Sequence, residues 1–175
     1  MFFTNKNILL GVTGGIAAYK AAEIIRNFKK EGANVRVVMT ESAKEFITPL
    51  TLQAISGNEI HDSLLDVKAE SAMGHIELAK WADTILIAPC TAETMAKITH
   101  GRADDLLGAI ILATKANIYL APAMNMNMWL DKSTQENFKI LSSREITFIG
   151  PAKGEQACGD VGPVSYTHLT LPTKA

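Results

Sequence analysis

Short, near-continuous apolar runs alternate along this chain with longer stretches in which apolar residues recur at three- and four-residue intervals. NILLGV (7–12), NVRVVMT (34–40), DTILIAPC (83–90), NIYLAPAM (117–124) and ITFIG (146–150) are of the first kind. Rich in branched side chains and lacking polar alternation, they predict strands covered on both faces. The second kind predicts helices. GGIAAYKAAEIIRNFKKEG is a glycine loop leading into a helix whose Ala17, Ala21, Ile24, Ile25 and Phe28 share one face, with Gly32 as its stop. ESAKEF and PLTLQAIS read as short helices, and HIELAKWA (75–82), AETMAKITHG and DDLLGAIILATKA as further ones. STQENFKILSSRE adds a last helix with Ser133 as N-cap, whereas EIHDSLL fits neither pattern.

Strand–helix alternation of this sort predicts a parallel sheet wrapped by helices on both sides. The expected fold is a single α/β domain, doubly wound in the Rossmann-like or flavodoxin-like manner, with five strands within residues 1–163. From Val164 onward, VSYTHLTLPTKA shows no period and is rich in Thr, Leu and Pro. Residues 164–175 are expected to be a tail foreign to the natural protein and to lie outside the domain.

Composition acts mainly by exclusion. At 175 residues, 47% apolar and 20% charged, the chain is long enough to bury a core. A net charge of −1 with no block of like charge gives no footprint for nucleic acid. No apolar run reaches the roughly 18 residues a membrane helix needs, and MFFTNKNILLGVTGG lacks the layout of a secretory signal. Cys90 and Cys158 are too few for a disulfide framework and suit the reducing cytoplasm. No pair among these cysteines and His61, His75 and His100 has metal-ligand spacing, so no metal is expected.

In a doubly wound sheet, ligands lie beyond the carboxyl ends of the strands. The segments after Val12, Met39, Ala88 and Leu120 are therefore the places where chemistry is expected. After the first strand, Gly14 and Gly15 in GVTGGIAAYK let backbone approach an anion at a helix start. That segment has neither the G-x-G-x-x-G of dinucleotide sites nor the Gly-Lys-Ser/Thr of a P-loop. It is a generic phosphate cradle or a bare tight turn. MTESA then offers the hydroxyls of Thr40 and Ser42, and APCTAETMAK those of Thr91 and Thr94. Taken singly, these are helix caps. Three glycine- or hydroxyl-rich turns on one rim point instead to a mononucleotide. Flavin mononucleotide (FMN) needs a phosphate cradle, hydroxyls along its ribityl chain and backbone amides at its ring edge.

APAMNMNMWL (121–130) follows the fourth strand. Pro122 ends that strand, and Asn125 is either a helix N-cap over a methionine-rich core or an amide offered to a carboxylate, thiol or amide. His75, after Gly74 at a helix start, is a capping residue or a base working near neutral pH. Cys158, in the glycine-flanked KGEQACGDVG, is a free surface thiol or a proton donor and nucleophile on a mobile lid. Residue types alone leave each pair open.

Together these segments resemble one family, the homo-oligomeric flavin-containing cysteine decarboxylases, over about residues 6–163. GVTGGIAAYK resembles the family's first flavin loop, GHIELAKWAD its catalytic-histidine segment, and APCTAETMAKITHGRADDLL its second flavin loop. PAMNMNMW fits the signature P-x-M-N-x-x-M-W residue for residue, and ACGDVG fits the opening of the cysteine-bearing substrate clamp. The first loop is weak on its own, but the last two motifs together are specific. The resemblance lapses after Pro163, where the family continues Gly-Arg-Met. The clamp cysteine is similar to that of the branch that decarboxylates 4′-phospho-N-pantothenoylcysteine to 4′-phosphopantetheine in coenzyme A synthesis. In bacteria that activity usually forms the N-terminal half of a bifunctional protein whose other half is a phosphopantothenate–cysteine ligase.

The resemblance implies FMN as cofactor, held by Gly14, Gly15, Ile16, Ala17, Thr40, Ser42, Pro89, Thr91, Ala92, Thr94 and Ala123. It implies that flavin oxidises the thiol-bearing carbon of the substrate, that the carboxylate then leaves, and that the flavin returns its electrons. No net redox change results, so no nicotinamide is required. His75 is implied as the base and Asn125 as the grip on the substrate's carboxylate and amide. Cys158 is implied as the proton donor, beside a substrate-binding Ala157. Asn127 is not expected to touch substrate, and Lys153 is the candidate for its phosphate. Members of the family form trimers, often arranged as dodecamers, with flavin between subunits. That would account for apolar Met126 and Met128 near the surface.

Two relatives of the same fold compete with this reading. Peptidyl-cysteine decarboxylases are similar but lack the clamp cysteine, and the intact P-x-M-N-x-x-M-W argues against a flavin prenyltransferase. A non-enzymatic, flavin-binding regulatory subunit is the third alternative. Such subunits can lose one of the three active residues, whereas His75, Asn125 and Cys158 are all present here.

Overall fold

The computed structural model describes residues 1–65, 74–155 and 161–165, with 152–155 and 161–165 described by their backbone. Its main sheet has six strands, β1 (Asn7–Val12), β2 (Asn34–Met39), β3 (Ile60–His61), β4 (Thr84–Cys90), β5 (Asn117–Pro122) and β6 (Thr147–Phe148). Every pairing is parallel, in the order β3-β2-β1-β4-β5-β6. The chain builds outward from β1 to β3, then returns to lay β4, β5 and β6 on the other side of β1. The direction of winding thus reverses between β1 and β4.

The helices are α1 (Ala21–Lys30), α2 (Pro49–Ser56), α3 (His75–Trp81), α4 (Ala92–Thr99), α5 (Leu106–Ala113), α6 (Met126–Leu130) and α7 (Lys132–Ser143). Alternate residues of a strand point to opposite faces, and both faces are filled. Ile8, Leu10 and Val12 of β1 pack with Ile24, Ile25 and Phe28 of α1 and Leu52 of α2. Leu9 packs on the other side with Leu78 of α3, Met95 of α4, Ile110 of α5 and Leu141 of α7. Burying each such side chain contributes about 1.5–3 kcal/mol relative to exposure, so neither helical layer is dispensable. Gly11 lets α5 lie close over β1, since a Cβ there would come 3.0 Å from Leu107 Cδ1.

Three details depart from the sequence reading. Five strands were expected, and β3 is the sixth; it arises from the segment that fitted no pattern. Two residues cannot display a period, and its place is set by pairing with β2, Val37 opposite Ile60 and Val38 opposite His61. The N-cap of α7 is Asp131 and not Ser133: the Asp131 carboxylate accepts from the Ser133 backbone N–H at 2.8 Å, which moves the helix start upstream. Ile16–Lys20 forms a 3-10 turn ahead of α1, where the sequence pattern had the main helix already begun. The short helix expected over ESAKEF is present as a 3-10 turn, Glu41–Glu45. Beyond the sheet, β7 (Ala152–Glu155) and β8 (Val161–Ser165) form an antiparallel pair, and β8 lies beside α6 and β5. Among the described residues, no helix is long and apolar enough to cross a membrane.

Candidate active site

Because all six strands run parallel, their carboxyl ends and the amino ends of the helices that follow share one rim of the sheet. Every candidate ligand segment within the described residues falls on it. Gly14 to Ala17 follow β1, Thr40 and Ser42 follow β2, Thr91 to Thr94 follow β4, and Ala123 and Asn125 follow β5. His75 opens α3, which leads into β4, so it too belongs to this rim.

The rim loops are joined to one another by specific contacts. Thr40 N–H donates to the Val12 carbonyl at 3.1 Å, and the Thr40 and Ser42 hydroxyls are 3.2 Å apart. Gly14 lies against Ser42 so closely that a Cβ there would overlap the serine side chain and come 2.9 Å from its carbonyl carbon. Across the winding reversal, the Thr13 hydroxyl donates to the Pro89 carbonyl and accepts from Thr91 N–H at 3.2 Å. Thr91 Oγ1 accepts from Thr94 N–H at 3.1 Å, capping α4, with the Thr94 hydroxyl 2.9 Å away. Ala123 N–H donates to the Cys90 carbonyl at 3.1 Å and brings in the β5 loop.

These contacts leave a floor of bare glycine backbone flanked by hydroxyls. Gly15 faces outward across it: a Cβ there would meet only Pro89 Cγ and Thr91 Cγ2, both at 3.9 Å. Gly14 has no room for a side chain, while Gly15 has room for ligand atoms. Ala17 is buried and Ile16 is 66% exposed, so only the latter's side chain reaches a ligand or a partner surface. Backbone N–H groups at a helix start together with several hydroxyls suit a phosphate carrying a polyol chain.

Asn125 caps α6, its Oδ1 accepting from Asn127 N–H at 2.8 Å. The capping alternative is therefore realised, and it fixes the orientation of the carboxamide. Met126 is half-buried, and Asn127 and Met128 are exposed. Trp129 is buried edge-to-face on Phe138 at 5.5 Å, and Phe138 meets Phe148 edge-to-face in turn at 4.6 Å. Half-buried His75 heads α3, where the Glu77 carboxylate accepts from Gly74 N–H at 3.3 Å and closes the turn. Ala157 and Cys158 lie outside the described residues, in the interval between β7 and β8. Full burial pushes the thiol of Cys90 far above the ordinary cysteine range, so this rim cysteine stays protonated and unreactive.

The sequence reading did not single out Thr13. Its only local signal is a polar residue directly after a fully buried strand, and its partners lie 76 and 78 positions away.

A doubly wound sheet with a glycine floor and hydroxyl-bearing loops at its winding reversal defines a mononucleotide-binding α/β domain. Residues 3–170 match the Flavoprotein family, and the chain belongs to that family. It is 59% identical over 158 residues to the coenzyme A biosynthesis bifunctional protein CoaBC of Vibrio vulnificus, covering 90% of this chain and 39% of the relative. The chain thus spans about two-fifths of the length of such relatives. Among solved structures, it is similar to a PPC decarboxylase variant complexed with pantothenoylaminoethenethiol. The TM-score is 0.77 at 34% identity, over 90% of this chain and 88% of that one. It is also similar to the FMN-binding protein AtHal3, with a TM-score of 0.76 at 36% identity, over 90% of this chain and 87% of that one.

Proposed function

We propose that this chain binds FMN on the rim and decarboxylates 4′-phospho-N-pantothenoylcysteine to 4′-phosphopantetheine, as the decarboxylase half of a bifunctional coenzyme A biosynthesis protein. One observation carries the reading. The glycine floor, the three hydroxyl loops and the Asn125 segment converge on one rim, in a chain 34% identical to a PPC decarboxylase.

The geometry fits the cofactor. Backbone N–H groups of Gly14, Ile16 and Ala17 would hold the phosphate, with Gly15, its own N–H turned to the Thr13 carbonyl, leaving it room. The hydroxyls of Thr40, Ser42, Thr91 and Thr94 would meet the ribityl chain, and backbone at Pro89, Ala92 and Ala123 the ring edge. When bound, flavin supplies reversible two-electron oxidation of the substrate, which permits loss of CO₂ next to a thiol-bearing carbon with no net redox change. His75 accepts a proton at the head of α3. The carboxamide of Asn125, oriented by its cap hydrogen bond, holds the carboxylate that departs. Cys158 returns a proton to carbon, with Ala157 beside the substrate. Cys90, buried and protonated, takes no part.

Homo-oligomerisation, as a trimer or as four trimers arranged into a dodecamer, belongs to the same proposal. Ile16 and Tyr19 (63% exposed) beside the cradle, and Met128 and Leu130 on α6, are apolar surface that a second copy would cover. The cytoplasm is the corresponding location.

The test combines a spectrum with a turnover assay. Purified protein should carry or take up FMN, and should release CO₂ and 4′-phosphopantetheine from 4′-phospho-N-pantothenoylcysteine. Protein that binds FMN but leaves this substrate untouched would overturn the substrate assignment; protein that takes up no FMN would overturn the whole reading.

A further inference from the structure

We infer that Thr13 is a positioning residue that sets the width of the cofactor cradle through its hydroxyl, without itself touching the ligand. The inference rests on the proposed FMN site.

The backbone ladder between β1 and β4 ends at Gly11 opposite Ile87. Beyond that pair the two chains turn toward different faces of the sheet, because the winding reverses there. Thr13 spans the gap they leave. It is 1% exposed, its hydroxyl proton goes to the Pro89 carbonyl, and a lone pair of the same oxygen receives Thr91 N–H at 3.2 Å. A hydroxyl has one proton and two lone pairs, and here it donates and accepts at once between strands that no longer share a ladder. Its own carbonyl accepts from Gly15 N–H at 3.0 Å, which folds the glycine pair back onto the clasp. Thr91 then passes the constraint on by capping α4 through Thr94 N–H.

The consequence is geometric. The open side of Gly15 lies 3.9 Å from Pro89 Cγ and Thr91 Cγ2, and Pro89 and Thr91 are the two residues the Thr13 hydroxyl holds. Removing the hydroxyl takes from the buried Pro89 carbonyl and the half-buried Thr91 amide the one group that joins them. The two loops then relax apart, and the cradle loses its fit.

The test compares Thr13→Ser, which keeps the hydroxyl, with Thr13→Val, which keeps the shape and loses it. FMN affinity of the apoprotein is read by quenching of flavin fluorescence, and thermal unfolding of the apoprotein is read alongside. Phe28→Leu, at the far end of α1 from the rim, controls for general destabilisation. Thr13→Val should bind FMN weaker by on the order of tenfold, Thr13→Ser within about threefold of the parent, and Phe28→Leu as tightly as the parent at matched loss of melting temperature. Equal binding by Thr13→Val, or equal weakening by Thr13→Ser, overturns the inference. A parent that binds no FMN overturns both the inference and the reading beneath it. Should Thr13→Val not fold, hydrogen exchange in the parent decides: the Thr91 amide should be protected without FMN, and free exchange there refutes the clasp.

Discussion

Gly14→Ala and Gly15→Ala add the same methyl group to adjacent residues and should fail in different ways. At Gly14 the new Cβ would overlap the Ser42 side chain and approach the Ser42 carbonyl carbon to 2.9 Å, a backbone contact that no rotamer can relieve. The loop after β2 must move. Overpacking of this kind costs about 1–3 kcal/mol. If that cost falls on the bound geometry, it corresponds to roughly five- to 150-fold weaker FMN binding at 1.4 kcal/mol per tenfold. At Gly15 the nearest atoms are at 3.9 Å, an ordinary van der Waals contact, so the apoprotein should tolerate the methyl. There the methyl occupies space that the ligand needs. Thermal unfolding of both apoproteins, paired with FMN titration by fluorescence, separates the two cases. Gly14→Ala should lower melting temperature and affinity together, and Gly15→Ala should lower affinity alone. A Gly15→Ala protein that binds FMN like the parent would show that the phosphate lies elsewhere, and the cradle assignment would fail.

Asn125→Asp keeps an oxygen to accept from Asn127 N–H but loses the amide donors; it should fold normally while CO₂ release falls at least about a hundredfold, since the new charge repels the substrate carboxylate. Cys158→Ser should halt turnover with the flavin left reduced, whereas Cys90→Ala should retain most activity, and absorbance during a single turnover distinguishes them. Burial, and then the nearby Arg36 charge, hold the His61 imidazole below its ordinary range, against the opposing pull of Glu59 and Asp62. The unfolded chain takes up this proton near pH 6.5 before the folded one does. Stability is therefore complete above that pH and declines as the pH falls below it, and urea midpoints at pH 7.5 and 5.5 should converge partly in His61→Leu.

The parts of the fold legible in the sequence are those whose cause is local. β1, β2, β4 and β5 are buried on both faces or nearly so, which writes them as near-continuous apolar runs. The short helix read in PLTLQAIS is α2 residue for residue, and in the structure its ends are chemically marked: Thr48 caps it, Pro49 opens it and Gly57 stops it at φ +77°. The two-residue strands β3 and β6 exist only through their neighbours, and β3 went unrecognised for that reason. On the rim, capping and the proposed ligand contacts use the same atoms. Thr91 Oγ1 caps α4 and still lines the cradle, so residue type could not separate the two readings, and the motifs P-x-M-N-x-x-M-W and A-C-G-x-x-G had to. The clasp of Thr13 on Pro89 joins segments too far apart in sequence for any periodic pattern to register.

The opening and closing ends of the Asn125 segment have separate supports, and that separation bears on how the site works. A helix of five residues is not stable by itself, so the direction of the Asn125 carboxamide is inherited from what holds α6 in place. At one end Ala123 N–H is tied to the Cys90 carbonyl, in the same rim that carries the cradle. At the other end Trp129 is fixed by Phe138 and Phe148, and the Gln135 side chain donates to the Trp129 carbonyl at 2.6 Å. The first tie joins the proposed substrate grip to the rim that carries the cradle. The second, drawn from α7 and the sheet edge, holds the far end of α6 and so sets the angle at which the proposed grip is presented. The proposed substrate grip therefore has two supports, one on the cradle rim and one from α7, and both run into the core cluster that holds Cys90, Met95 and Trp129.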